Sequence, residues 1–302
     1  MKIRTSGSTG VPKEIELPEE DLIISAQATN EFFGINENSV LACALSREYI
    51  AGIMMEFRAK TARCRCLMVK PSNKPFAEYD FSGIPSIDLM AAVPSQIPGI
   101  LENSELAKRI KNIIVGGAPL DRALEELLIE TGINGFVTFG MTETASHIAL
   151  RPIGTQNYNA LADISFDADE NGRLIIRSTK RSFRELLTND VVELVSDKEF
   201  VWKGRFDNVV NSGGVKLYPE MIEKKVEPVI GCKFYFVGVP SMKWGEELAL
   251  VLEDGSCEIK DDVLYEILRS VLSPYEIPKS IRHVSAIEYT ANGKIKRKIV
   301  GK

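Results

Sequence analysis

Histidine and tryptophan are scarce, two of each in 302 residues, and the five cysteines are odd in number and scattered. Neither a disulfide framework nor a zinc site is supported by so few and so separated ligands. Cys43, Cys64, Cys66, Cys232 and Cys257 are therefore expected to be reduced thiols, with Cys64 and Cys66 on opposite faces of a strand. No uninterrupted apolar run is long enough to span a bilayer. There is no internal repeat and no low-complexity tract. A net charge of −5 and a pI near 5.4 argue against broad binding of nucleic acid, which would favour an extended basic face. No basic-plus-apolar leader stands at the N-terminus, so a cytoplasmic protein is expected, with no membrane partner.

What is present begins with Thr5-Ser-Gly-Ser-Thr-Gly-Val-Pro-Lys13. Gly7 and Gly10 let the backbone bend so that successive N–H groups converge on an anion; Thr5, Ser6, Ser8 and Thr9 add hydroxyls and Lys13 a charge. The stretch reads as a phosphate cradle, with a flexible Gly/Ser linker as the plainer alternative. It is not the nucleotide-triphosphatase loop, because Pro12 precedes the lysine and Glu14 follows it.

The length suits two domains. Acidic residues after Pro18 open a helix that stops at Gly34, followed by a strand over 40–45, a helix over 51–62 and a strand over 64–69. The proline-bearing segment 70–85 is expected to be a surface loop. Strands at 89–93 and 112–115, a helix between Pro119 and Gly132, and a strand at 135–139 form a right-handed crossover of a parallel sheet. This places Gly116-Gly117 and Gly140 to Glu143 at carboxyl ends of strands, where open parallel sheets bind ligands. From Asp163 short strands and polar turns predict an antiparallel meander, with a boundary near 206/207. Beyond it come a hairpin at 211–214, a helix opened by Pro219, two strands, a helix over 261–272 burying Val263, Leu264, Ile267, Leu268 and Val271, and a strand at 281–284. The fold class expected is α/β and α+β: a large domain, 1–206, with a parallel-type sheet plus the meander, then a small mobile C-terminal α+β domain, 207–302.

Five separated stretches, in order, resemble the adenylate-forming acyl-CoA synthetase superfamily. The first is the Thr5 loop. The second, Phe139-Gly140-Met141-Thr142-Glu143, resembles the aromatic-Gly-x-Thr-Glu motif; the resemblance implies that Phe139 stacks on adenine, Thr142 meets phosphate and Glu143 helps hold Mg²⁺ through the phosphates. Magnesium wants hard oxygen ligands and keeps phosphates and waters, so one protein carboxylate can suffice. Thr188-Asn189-Asp190 stands where the family has Thr-Gly-Asp. Glycine there would provide a left-handed backbone, which Asn189 tolerates, so Asp190 is expected to keep its role of accepting from the ribose hydroxyls, although any polar turn could carry the same three residues. Gly204-Arg205-Phe206-Asp207-Asn208 with Ser212-Gly213-Gly214 resembles the hinge region: Arg205 toward ribose and phosphates, Asp207 as the swivel, Gly213 and Gly214 along the coenzyme A tunnel. In Ala291-Asn292-Gly293-Lys294 the lysine matches the one essential for adenylation; Lys296, Lys298 and Lys302 read as a solvated basic tail.

The resemblance implies an ATP- and Mg²⁺-dependent acid–thiol ligase that passes an acyl group from acyl-AMP to coenzyme A, with Gly116 and Gly117 on the nucleotide side. Among branches, Val93-Pro94-Ser95-Gln96 and Thr142-Glu143-Thr144-Ala145-Ser146 look most like o-succinylbenzoate-CoA ligases of menaquinone synthesis. For that acid Arg58 is the candidate pocket cation, with Tyr49, Ser95 and Gln96 beside it; a surface arginine on an amphipathic helix is the plainer reading of Arg58. A non-catalytic nucleotide or acyl-adenylate binder and a carrier-loading adenylation domain stay open as alternatives, as does homo-oligomerisation. The family normally carries a substantial subdomain before the phosphate loop, so the chain is expected to be either an abbreviated enzyme or a piece completed elsewhere.

Overall fold

A computed structural model describes residues 1–4, 14–290 and 294–297. The Thr5 loop with Lys13, and also Ala291 to Gly293, Lys298 and Lys302, lie outside the described residues. Two compact units emerge: Met1–Asp167 with Ile175–Leu186 and Leu194–Val201, and Ala168–Leu174 with Leu187–Glu193 and Trp202–Lys302.

The expected class is observed, a mixed α/β fold with a large mixed sheet and a separate sheet in the C-terminal part. In the first unit the strands Val40–Cys43, Arg65–Met68, Leu89–Ala92, Asn112–Val115 and Asn134–Met141 are parallel neighbours, and Ser146–Pro152 and Asn157–Ala160 continue the sheet antiparallel. Period-two alternation sorts these strands onto two cores. Ala42, Met90, Ala92, Ile113 and Val115 face one, and Leu41, Cys43, Leu89, Ala91 and Ile114 the other. A parallel sheet buried on both faces reads as a continuous apolar run, which is why these strands were visible in the sequence. The strands Arg173–Ser178, Glu185–Ser196 and Glu199–Arg205 form the meander.

In the second unit Val210–Ser212 and Val215–Leu217 make a tight hairpin across Gly213 and Gly214, at φ 60° and 87°. Two consecutive left-handed residues are what a two-residue hairpin turn demands. Phe234–Ser241 pairs antiparallel with Gly245–Glu253, which pairs parallel with Ser280–Val284. The helices Pro219–Val226 and Asp261–Val271 give Ile222, Val226, Leu264 and Leu268 to one core, with Phe236, Leu248 and Leu250.

Six local expectations are corrected. Cys64 and Cys66 pack on the same apolar cluster, because residues two apart share a strand face. The 70–85 segment has no regular elements, yet Phe76, Phe81 and Ile84 are buried in the core, so it is packed rather than merely superficial. The helix expected from Pro119 runs Arg122–Thr131, and its N-cap is Asp121, whose carboxylate accepts from the Leu124 N–H at 2.8 Å. Val263 is exposed while Leu264 and Leu268 are buried, since the helix is wetted along one side. Asn189 sits within a strand and not in the left-handed region. Finally, Cys232 and Cys257 form a disulfide. The pairing of Phe234 with Leu252 holds together the strand ends they flank, a juxtaposition that a separation of 25 residues does not reveal.

Candidate active site

The site residues of the first unit gather where parallel strands end. The strand Asn134–Met141 carries a bulge between Phe139 and Gly140 against its neighbour. A Cβ on Gly140 would stand 2.3 Å from the Ser146 carbonyl oxygen, so only glycine permits this approach. Phe139, half-buried, lies edge-on to Tyr158 and Phe200 at 5.6 and 5.1 Å. Beyond it Thr142–Thr144 is one 3-10 turn, with Thr142 buried and Glu143 exposed. Thr144 Oγ1 closes the turn: it accepts from the Met141 N–H at 3.0 Å and donates to the Ser146 carbonyl at 2.7 Å. Ala145 and Ser146 follow at φ 51° and 89°, two left-handed non-glycine residues in succession, a strain of the kind found at functional sites.

Two buried arginines sit under this turn. Arg181, absent from the sequence reading, donates to the Thr144 carbonyl at 2.6 Å, and its Nε lies 3.9 Å from Asp163. Arg58 is 1% exposed and touches Met55 Sδ (3.3 Å), Ser146 Oγ (3.4 Å) and His147 Nδ1 (3.3 Å), with no partner for its Nε among the described residues. Burial lowers its pKa to about 10. It is no surface arginine: its helix Ile50–Ala62 packs on the core and turns this face inward. His147 receives Arg58 at Nδ1 and meets Thr29 Oγ1 at 3.0 Å through Nε2. Burial first, then Arg58 and Arg181, hold its pKa well below the ordinary imidazole value, so it is neutral with the proton on Nε2. Scarcity was the one available signal for His147.

The other acyl-side residues are placed differently. Tyr49 caps the start of the Arg58 helix and is 46% exposed. Ser95 is exposed on the turn Pro94–Gln96. Gln96 is buried, and its amide is committed to the backbone, donating to the Ala44 and Ser72 carbonyls at 3.0 Å each and accepting from the Val93 N–H at 3.2 Å. Gly116 and Gly117 follow the strand Asn112–Val115 at its carboxyl end.

In the second unit Asp190 is the centre. Its two oxygens accept from Trp202 Nε1 at 2.9 Å and Arg205 at 3.1 Å, while its N–H donates to Thr188 Oγ1 at 3.1 Å. Trp202, three residues before Arg205, was missed by sequence reasoning; an aromatic on the strand facing a motif aspartate was its only trace. Lys294 feels both charges: partial burial first, then Arg205, lowers its pKa, and Asp190 acts the other way. Asp207 lies on the turn Phe206–Asn208 and accepts from the Asn189 side chain. Gly213 lies against Trp244, where a Cβ would stand 2.7 Å from the ring, and its N–H donates to the Trp244 carbonyl at 2.9 Å.

Among the described residues no three or more His, Cys, Asp or Glu gather as a metal cage, and no helix is long and apolar enough to cross a membrane. The exposed Glu143 carboxylate on its turn fits a magnesium ion that arrives with phosphates and keeps its waters better than one caged by protein.

Residues 3–166 match the family model described as AMP-binding enzyme. A 2-succinylbenzoate–CoA ligase of Listeria monocytogenes is 27% identical over 97% of this chain and 68% of its own length. One of Staphylococcus epidermidis is 25% identical over 98% and 68%. Among solved structures, an acyl-CoA synthetase (AMP-forming)/AMP-acid ligase II-like protein from Dyadobacter fermentans is 33% identical, covers 98% of this chain and 87% of its own, and superposes with a TM-score of 0.65. The Bacillus subtilis O-succinylbenzoate coenzyme A synthetase in complex with ATP and magnesium ion has a TM-score of 0.82 at 19% identity, over 97% of this chain and 68% of its own, which is a likeness of fold.

Proposed function

We propose, from the premise that this chain belongs to the AMP-binding enzyme family, that it is an acid–coenzyme A ligase acting on o-succinylbenzoate in menaquinone synthesis. The observation that carries the finer reading is the run of curated 2-succinylbenzoate–CoA ligases whose likeness extends over 96–98% of the chain. A fully buried arginine with no carboxylate beside it among the described residues supports a dicarboxylic acid as substrate, since an unpaired buried charge is costly unless something is gained from it.

The chemistry follows in two steps. The substrate carboxylate attacks the α-phosphorus of ATP and pyrophosphate leaves. Lys294, Lys13 and the hydroxyls of the Thr5 loop meet the charge that builds, with Thr142 at phosphate, Phe139 against adenine, and Asp190 and Arg205 at the ribose and phosphates; positioning and electrostatics do most of this work. Magnesium, held by the phosphates and Glu143, would neutralise phosphate charge. In the second step the coenzyme A thiol adds to the acyl carbonyl and AMP departs. Residues 1–206 and 207–302 are the two functional domains in this scheme, turning about Asp207, with Gly213 and Gly214 presented to the thiol substrate.

The test is pyrophosphate release from ATP and Mg²⁺ with o-succinylbenzoate, benzoates and short and long fatty acids, with and without coenzyme A. Turnover with o-succinylbenzoate that yields a thioester only when coenzyme A is present is the expected result. Turnover confined to another acid would replace the substrate, and ATP binding without any turnover would replace the activity.

A further inference from the structure

We propose that the Arg297–Glu223 ion pair is a positioning device for Lys294, locking the C-terminal hairpin that carries the lysine onto the helix Pro219–Val226. The inference rests on Lys294 being the cation of adenylation.

The hairpin closes on itself through Thr290 N–H to the Lys294 carbonyl (2.8 Å), Lys294 N–H to Thr290 Oγ1 (3.1 Å) and Lys296 N–H to the Glu288 carbonyl (2.8 Å). Those bonds shape the loop but do not say where it sits. Ile295 and Arg297 reach the body of the unit. Ile295 packs on the cluster of Tyr235, Val237 and Val251. Arg297 grips Glu223 with both terminal nitrogens, one at 2.7 Å, and donates to the Phe236 carbonyl at 2.7 Å. Glu223 in turn accepts from the Phe236 N–H at 2.7 Å, and a second carboxylate, Glu220, stands 3.8 Å from Arg297 Nε. The guanidinium side chain is only 11% exposed.

Parity explains what the lock decides. In an extended segment alternate residues face opposite ways, so seating Ile295 and Arg297 on the strand and helix beneath turns Lys294 and Lys296 to the other side, where Lys294 feels Asp190 and Arg205. A slip of one residue would exchange the sets and withdraw the lysine. Three residues of chain reach no further than about 10 Å, so the lock acts close to the ammonium it places. A buried ion pair adds little net stability over an apolar pair, and its best-attested use is to fix register. Arg297 touches neither the reacting atoms nor Lys294 itself; it acts through the hairpin.

The test compares the full chain with Arg297→Gln, Arg297→Lys and Glu223→Gln. Two readouts need no turnover: amide hydrogen exchange over residues 288–297, and the rate at which an amine-reactive reagent labels Lys294. Faster exchange and an altered labelling rate are expected in all three variants. In catalysis the adenylation kcat is expected to fall about 100-fold, the cost of a misplacement near 1 Å, with the KM for ATP little changed. Thioester formation from supplied acyl-adenylate stays near the wild-type rate. Arg297→Lys retains the charge and serves if the glutamine variant does not fold. Unchanged exchange and labelling, or an equal fall in both half-reactions, would overturn the proposal. A wild-type chain that releases no pyrophosphate with any acid defeats the ligase reading instead, while exchange and labelling still decide whether the lock exists.

Discussion

Asn189 donates its side-chain amide to the Asp207 carboxylate, bridging 18 residues from the long meander strand to the turn Phe206–Asn208. Where the family carries glycine, this chain has a latch on the residue proposed as its swivel. Asn189→Ala removes one exposed hydrogen bond, so stability should fall by no more than about 1 kcal/mol in a urea titration. The ratio of thioester formation to adenylation should rise if the latch restrains the turn; an unchanged ratio would make the bond an ornament of the surface.

Among the described residues Arg58 is buried without an acid partner, which makes it a stability cost that function can justify. Arg58→Met keeps bulk and removes the charge, so the unfolding free energy should be unchanged or higher, by up to about 3 kcal/mol. The KM for the acid should rise while that for ATP holds. A large fall in stability would instead identify Arg58 as a structural clamp on Ser146 and His147.

His147 gives a pH dependence with a definite sign. Its folded pKa is depressed below the unfolded value near 6.5, so the unfolded chain binds more protons as pH falls through that value. Its contribution is present above about pH 6.5 and is lost below it, at up to about 1.4 kcal/mol per pH unit. His147→Gln should flatten this part of the stability profile between pH 6.5 and 5, measured by denaturant melts at each pH.

Asp190 is held by Trp202 and Arg205, and each bond involves a charged group. Trp202→Phe should weaken nucleotide binding by about 10-fold, at the lower end of the 1.5–3 kcal/mol that such a bond contributes. Asp190→Asn should cost more, because it removes the charge facing Arg205. Isothermal titration with ATP separates the two effects; equal affinities in all three proteins would remove Asp190 from the nucleotide site.

The Cys232–Cys257 bond closes a loop of about 25 residues, for which the chain-entropy estimate is about 3.5 kcal/mol. Calorimetry should show the unfolding of the C-terminal unit moving to lower temperature on reduction, and Cys232→Ser should lose that sensitivity. A chain equally stable in reductant would show that the bond closes little denatured-state freedom.

Much of the fold was legible because its signals are local. The helix ending at Gly34, the apolar strands at 40–43, 89–92 and 112–115, and the glycine turn at 213–214 follow from capping, continuous burial and left-handed backbone, all properties of a few neighbouring residues. Errors fell where a competing hydrogen bond decides. Asp121 displaced Pro119 as the helix start because its carboxylate reaches a backbone N–H, and Asn189 stayed extended because the strand ladder outweighed its turn preference.

By itself the sequence determined the family, the order of the motifs and the residue types at the site, because each motif is a short run whose chemistry is written in adjacent side chains. Only the tertiary structure decided which charges are buried and what they meet. Arg58 and Arg181 under the Thr142–Thr144 turn, His147 between Arg58 and Thr29, Trp202 on Asp190 and Arg297 on Glu223 are pairings of residues far apart in the chain. Desolvation and hydrogen-bond geometry depend on what packing brings together, and no spacing rule along the chain encodes that.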